Sequence, residues 1–434
     1  MKELPPWRRM LKGVNLFRGC YCMLEFKVMK SDEVETWLDL LDKAYPGFKA
    51  PREKMVSFLT DIIEKEKTQD LYGLYDNGTL VGGVRLLQFQ MNCGGAIVPA
   101  GGIGLVAIDL LRRREGLAKV LLKKSIDYFN ERGVHIAALY PFETSFYKKA
   151  GFGHGVQISQ YKIKPGSFSN KGNKENLKEW RGSVENRRKL LQCYNAVLEK
   201  TNGMTERIDR NLDSVFKDGQ HTIVYENENG TVEGYLTFSY RNEATFINSM
   251  DVKEMIYLTP QALNAFCSFF YSQKDQLERI IISSNDEYFR YLADDARNGD
   301  VAAFDSIYLE THVTADGLMY RVLDTKRFLH QLSSRNFGGL NGQLKLSIND
   351  SFLDENNGPV YASFTEGQIE VIEEGDARVE LNMDISDFSS LIMGAVDMKG
   401  LLRLGLAEIS DEAAADTVGR LFALDSKPVS MISY

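Results

Sequence analysis

Apolar residues recur along this chain with two periods, close to two and close to 3.6 residues, and the switches between them mark out its elements. From Leu24 the pattern predicts a strand, LEFKVM, and two amphipathic helices, DEVETWLDLLDKAY and REKMVSFLTDIIEKE. LYGLYDNGTLVGGVRLLQF then alternates around Asn77-Gly78, the dipeptide that most favours a two-residue hairpin turn. A strand at GGAIVPAGGIGLVAI, a helix at EGLAKVLLKKSIDYFNERG, a strand at VHIAALY and a short helix at TSFYKKAG complete a mixed α/β region ending near Lys164. The polar stretch KPGSFSNKGNKENLKEW predicts a linker. After it the pattern partly repeats: helix, a hairpin across HTIVYENENGTVEGYLTFSY, strand, the helix PQALNAFCSFFYSQ, and the strand LERIIIS. A third region opens at GLMYRVLDTKRFLHQLS and continues with the alternating strands GQLKLSI, GPVYASFTEG and QIEVIE. The class expected is α/β and α+β, in three parts.

Totals narrow the possibilities. At 434 residues the chain exceeds one ordinary core, and with 44% apolar and 26% charged residues it reads as globular. Acidic residues outnumber basic ones 60 to 52, for a net charge of −8, which argues against a broad nucleic-acid face and suits a cationic small molecule. Five cysteines without a repeated ligand spacing are expected to be reduced thiols, and no metal is expected. The basic start MKELPPWRRMLKGVNLFRGCYC has no unbroken apolar core of signal-peptide length, and no run is long enough to span a membrane. A cytoplasmic protein with an N-terminal arm over residues 1–23 is expected.

The chemically informative run is GLVAIDLLRRREGLAKVLLKKSIDYF, Gly104 to Phe129. A strand enters a loop carrying Arg113-Arg114-Glu115-Gly116-Leu117-Ala118, and an amphipathic helix closed by Gly133 leaves it. The first turn of that helix presents unpaired N–H groups and the positive end of the macrodipole. Gly116 and Ala118 allow close approach, and Arg113 and Arg114 add charge, so a diphosphate fits the loop. Together with FYKKAGF some thirty residues on, this setting resembles the GNAT acetyltransferase superfamily and its acetyl-CoA motif R/Q-x-x-G-x-G/A. The resemblance implies that Val106, Ala107 and Ile108 offer backbone to the pantetheine arm. It implies that Arg113, Arg114, Glu115, Gly116, Leu117, Ala118 and the adjoining Lys119 hold the pyrophosphate, with Glu143 close to the cofactor.

The whole chain is similar to the Eis (enhanced intracellular survival) family, in which tandem GNAT folds precede a sterol-carrier-protein-like α+β domain; EMIYLTPQALNAFCSFF and YRVLDTKRFL carry this likeness. It implies a catalytic GNAT domain at 24–165, a second without a cofactor motif at 166–315, and the sterol-carrier-like domain at 316–434. Acetyl transfer to an amine needs a base for the amine and an acid for the departing thiolate. A tyrosine hydroxyl can protonate a thiolate whose pKa is near its own, and the resemblance assigns that task to Tyr147 and the base to the C-terminal carboxylate, Tyr434. His135 and His154, and the carboxylates Asp109 and Glu115, read more simply as structural groups. Trp37, Asp39 and Asp42 lie on a helix that commonly walls a GNAT acceptor site.

The function so implied is acetyl-CoA-dependent N-acetylation of cationic amines, aminoglycosides or polyamines and lysine-type amines, by direct transfer in a ternary complex and in a homohexamer. Two alternatives stay open: a protein or peptide N-acetyltransferase, and a lipid-binding protein with the GNAT units as scaffold.

Overall fold

The computed structural model describes residues 24–47, 50–245, 247–298 and 309–431. The expected arm, Cys20 and Cys22 within it, and Tyr434 lie outside the described residues. The chain forms two compact units, one holding the described part of residues 1–85 with Leu105–Lys124, the other Leu86–Gly104 with residues 125–434.

The first unit contains β1 (Leu24–Val28), α1 (Val34–Ala44), α2 (Arg52–Lys65) and β2 (Gln69–Asp76). It also holds parts of β3 (Thr79–Cys93), β4 (Ala96–Ile108) and α3 (Leu117–Asn130), and its strand order is β1-β2-β3-β4. β2 and β3 are joined by Asn77 and Gly78 at φ 49° and 80°, the two left-handed residues that a hairpin turn matching the strand twist requires. Helices α1 and α2 bury Trp37, Leu38, Leu41, Leu59 and Ile62 in one apolar core.

In the second unit the first sheet runs β3-β4-β5-β14-β6, with β5 at Ile136–Leu139, β14 at Met319–Val322 and β6 at Gly153–His154. The short helix α4 (Thr144–Lys149) follows β5, then β6 (Gly153–His154) and β7 (Gln157–Ile163). β8 (Leu177–Trp180), α5 (Val184–Leu198), β9 (His221–Glu226), β10 (Val232–Ala244), β11 (Ile247–Tyr257), α6 (Pro260–Tyr271), β12 (Arg279–Ser284) and β13 (Val313–Asp316) make the middle region. The last region comprises β14 (Met319–Val322), α7 (Thr325–Gln331), β15 (Gly342–Asn349), β16 (Gly358–Thr365), β17 (Gln368–Ile372), β18 (Val379–Asp384), α8 (Ile385–Ile392), α9 (Met398–Leu404), β19 (Ala407–Ile409) and α10 (Ala415–Phe422). The second sheet is ordered β13-β7-β12-β11-β10-β9-β8 and the third β17-β16-β15-β18-β19.

Two strands join a sheet other than the one their place in the chain suggests. β7 follows the first region directly but pairs antiparallel with β12 and β13 of the second sheet. β14, which contains the MYRV that opens the third region, enters the first sheet and pairs with β5 (Tyr320↔Ala138) and β6 (Tyr320↔Gly153). A continuous apolar core runs from Ile136 and Tyr320 through Phe388 and Leu391 of α8 to Leu344 and Leu381 of the third sheet, so the last region shares its core with the first sheet.

Buried polar groups near the β3–β4 turn tie it to the end of α5, the end of α8 and the tail. The Asn92 side-chain amide donates to the Leu198 and Glu199 carbonyls at 2.8 and 3.0 Å, closing the end of α5. Asn202, 6% exposed, accepts from the Gly94 amide at 3.0 Å and donates to the Met393 carbonyl at 2.7 Å. Its own carbonyl accepts from the Val429 amide at 2.8 Å. Cys93, Cys193 and Cys267 are buried free thiols whose pKa values burial pushes up, so they pack as small apolar groups. Among the described residues no helix is long and apolar enough to cross a membrane.

Asn202→Ala takes the partner from the half-buried Gly94 amide and the buried Met393 carbonyl, and is expected to lower the unfolding free energy by about 1–3 kcal/mol, read from the urea midpoint.

Candidate functional site

In the first unit, β4 carries Leu105 at φ 50°, a left-handed conformation that a non-glycine residue holds only where its surroundings enforce it. Just beyond, the Val106 carbonyl accepts a hydrogen bond from the Tyr45 hydroxyl at 2.8 Å. Burial pushes the Tyr45 pKa up to about 12, so it stays a donor at neutral pH. Val106 and Ala107 are buried and Ile108 half-buried. The strand ends where the Asp109 amide donates to the Val81 carbonyl and the Asp109 carboxylate caps the next turn, accepting from the Leu111 amide at 2.8 Å.

The loop into α3 is braced by Arg112, which sequence reasoning passed over. Its guanidinium donates to Glu115 at 2.6 Å and to Asp76 at 3.0 Å, tying the loop to the end of β2. The spacing of Arg112 and Glu115, three residues apart, was the available signal. Glu115 therefore serves the loop's own geometry. Arg114 at φ 66° and Gly116 at φ 83° turn the chain, and the Gly116 carbonyl accepts from Val120 to start α3. Leu117 is buried and anchors the first turn, Ala118 is half-buried, and Lys119 is exposed. Arg113 and Arg114 are exposed, and neither forms an ion pair among the described residues. Two unpaired guanidiniums beside a helix N-terminus, with Gly116 and Ala118 keeping side-chain bulk away, fit a diphosphate.

The residues expected on the acceptor side lie on α1. Trp37 is 0% exposed, in the α1–α2 core, with its ring filling the space beside Gly83. Asp39 and Asp42 both bind Arg52, at 2.8 and 3.1 Å, with Glu35 at 2.7 Å completing the cluster. Trp37, Asp39 and Asp42 thus pack and brace the α1–α2 pair rather than present free groups.

In the second unit, Glu143 caps α4: its carboxylate accepts from the Ser145 amide at 3.3 Å and the Ser145 hydroxyl at 2.7 Å. Tyr147, 2% exposed, is held edge-on by Phe142, Phe146 and Phe152, with ring centroids 5.7, 5.1 and 5.9 Å away. The helix closes immediately after it. Gly151 takes φ 84°, its amide donates to the Lys148 carbonyl at 2.9 Å, and the Phe152 amide donates to the Tyr147 carbonyl at 3.0 Å. This is the Schellman closure, and Phe152 against Tyr147 supplies its apolar contact. The KKAGF following Tyr147 thus fixes the backbone of the tyrosine itself. The Ala150 carbonyl is taken by the Arg321 guanidinium.

His135 is buried against Asn130 at 3.1 Å, and burial lowers its pKa, so it stays neutral and structural. His154 faces Asp316 at 3.6 Å on the surface. Tyr434 lies outside the described residues, but the tail leading to it is held. Lys427 donates to the Ala395 carbonyl at 2.9 Å, the Val429 amide to Asn202, and Ser430 is hydrogen-bonded to Tyr140, seven residues before Tyr147.

Comparison with known proteins agrees with this architecture. Residues 25–155 and 198–322 each match a model of an acetyltransferase (GNAT) domain, and residues 326–431 match a sterol carrier protein domain. An uncharacterized N-acetyltransferase of Streptomyces griseus is 22% identical over 436 aligned positions, covering 93% of this chain and 98% of that protein. One of Streptomyces avermitilis is 27% identical over 133 positions, 30% of this chain and 32% of its own length. Among solved structures, a GCN5-related N-acetyltransferase from Anabaena variabilis superposes with TM-score 0.79 at 19% identity, over 95% of this chain and all of that one. Eis1 from Mycobacterium abscessus superposes with TM-score 0.75 at 15% identity, over 94% of this chain and all of that one. The chain is an acetyltransferase with two GNAT domains followed by a sterol carrier protein domain.

Proposed function

We propose that the protein transfers the acetyl group of acetyl-CoA directly to an amine of a cationic small molecule, an aminoglycoside or a polyamine or lysine-type amine, in the manner of the Eis family. The observation that carries this reading is the start of α3, where Arg113 and Arg114 stand exposed, without ion-pair partners among the described residues, beside Gly116 and the helix N-terminus. A pyrophosphate gains there from dipole, amides and charge together. Val106, Ala107 and Ile108 would offer backbone to the pantetheine arm, with Tyr45 holding the Val106 carbonyl in place.

In this reading Tyr147 gives its hydroxyl proton to the departing thiolate as the carbon–sulfur bond breaks and the carbon–nitrogen bond forms. The amine's proton passes to the terminal carboxylate of Tyr434. The aromatic cage and Schellman closure around Tyr147 suit an acid that must stay neutral until it acts and must not wander. The hydrogen bond between Ser430 and Tyr140 supports a tail led toward the β5 end, and the net charge of −8 suits a cationic acceptor. Homohexameric assembly in the cytoplasm belongs to the same family reading.

The test is thiol release from acetyl-CoA with a panel of aminoglycosides, polyamines and lysine peptides. Tyr147→Phe is expected to lower kcat by about 10²-fold with little change in the KM for acetyl-CoA. One residue added after Tyr434 keeps the side chain, displaces the carboxylate, and should also lower kcat. Arg113→Glu with Arg114→Glu is expected to raise the KM for acetyl-CoA by about tenfold or more. Wild-type rates in both the Tyr147 and the tail variants would overturn the mechanism.

A further inference from the structure

Helix α4 is six residues long, too short to hold itself together, so the placement of Tyr147 depends on what grips the two ends of the helix. Glu143 holds the front. At the rear the Schellman bonds engage the Tyr147 and Lys148 carbonyls, and the Ala150 carbonyl is left to Arg321. Arg321 lies on β14, far along the chain, and its side chain is 0% exposed. The guanidinium occupies the space where any side chain at residue 151 would begin, so Gly151 is required twice, by its φ of 84° and by the arginine.

The other nitrogen of the same guanidinium is fixed by Asp350, beyond β15. It donates to Asp350 at 2.6 Å, and the guanidinium stands over the Phe352 ring at 5.4 Å. Asp350, whose side chain is also 0% exposed, is held by five further bonds, one of them from the Asn357 side-chain amide to its carbonyl at 2.9 Å. Its carboxylate accepts from the Phe352 and Leu353 amides at 3.0 Å and the Asn356 side chain at 3.1 Å, and its own amide donates to Asn357 at 2.6 Å. An ion pair buried this deeply is a poor stabiliser, since apolar residues of like volume serve a core as well or better. What it supplies is a fixed cation at a helix C-terminus, where the macrodipole and an open carbonyl both favour one.

We propose that Arg321 and Asp350 are positioning residues for Tyr147. The carboxylate aims the guanidinium, the guanidinium fixes the Ala150 carbonyl, and the end of α4 so fixed sets where the Tyr147 hydroxyl lies. The sterol carrier protein domain thereby contributes to the acetyl transfer through Asp350, apart from any ligand of its own. This inference rests on the reading of Tyr147 as the acid.

The experiment is a double-mutant cycle on thiol release by the full chain, using Asp350→Asn, Tyr147→Phe and the pair, with folding checked by circular dichroism. In Asp350→Asn the side-chain carbonyl can still accept from the Phe352 and Leu353 amides, but the new NH2 turns a donor toward Arg321, which releases the guanidinium. Asp350→Asn is expected to lower kcat about tenfold with the KM for acetyl-CoA within about twofold, and to have almost no effect in the Tyr147→Phe background. An unchanged kcat, or an equal fold-loss in both backgrounds, overturns the positioning role while leaving the acid in place. A wild-type rate for Tyr147→Phe overturns the acid reading first, and this one with it. If Asp350→Asn does not fold, Arg321→Lys takes its place in the same cycle, because a lysine keeps the charge but cannot bridge Ala150 and Asp350 together.

Discussion

Asn202 answers three backbone segments at once, and the second unit is organised around that fact. The turn between β3 and β4 and the end of α8 each bring a backbone group to its side chain and would lose that partner on truncation, and the C-terminal tail brings the Val429 amide to its backbone carbonyl. An unpaired buried amide or carbonyl costs more than a formed bond contributes, so these segments have little freedom to settle elsewhere. Asn92 repeats the device close by, against the end of α5. The middle region, through the end of α5 and Asn202, holds the β3–β4 turn and the tail.

The strand exchange extends the same logic to Tyr147. With β7 in the second sheet, the position between β5 and β6 is filled by β14, and β14 brings Arg321 with it. α8, entirely buried, packs behind, and the Ser389 hydroxyl accepts from the Val322 amide at 2.9 Å. A six-residue helix is thus held by Glu143 beside it and by Arg321 from far along the chain. In the first unit the demands are more local. Arg112, Asp76 and Glu115 brace a loop whose neighbouring arginines remain available for a ligand.

Much of this was legible in the sequence wherever the cause is local. Asn77-Gly78 specified its turn because two consecutive left-handed residues admit few alternatives. The helix after Arg113 and its end at Gly133, φ 72°, followed from periodicity and a C-terminal glycine. The KKAGF after Tyr147 carried its own Schellman closure. Non-local facts were not legible. Strand patterns do not say which sheet a strand joins, so the exchange of β7 and β14 was hidden, and with it Arg321. Nor does periodicity show that Trp37 is sealed in the core, or that Asp39 and Asp42 are drawn to Arg52 from the next helix.

The central claim is direct transfer from acetyl-CoA to an amine, without an acylated enzyme between. Mass spectrometry of the quenched reaction with a deuterated acetyl donor and a polyamine or aminoglycoside acceptor tests it most directly. The account predicts one free thiol for each labelled acetyl-amine and a protein of unaltered mass throughout turnover. A labelled acetyl group accumulating on the protein ahead of product, or thiol released without any acetylated amine, would contradict it.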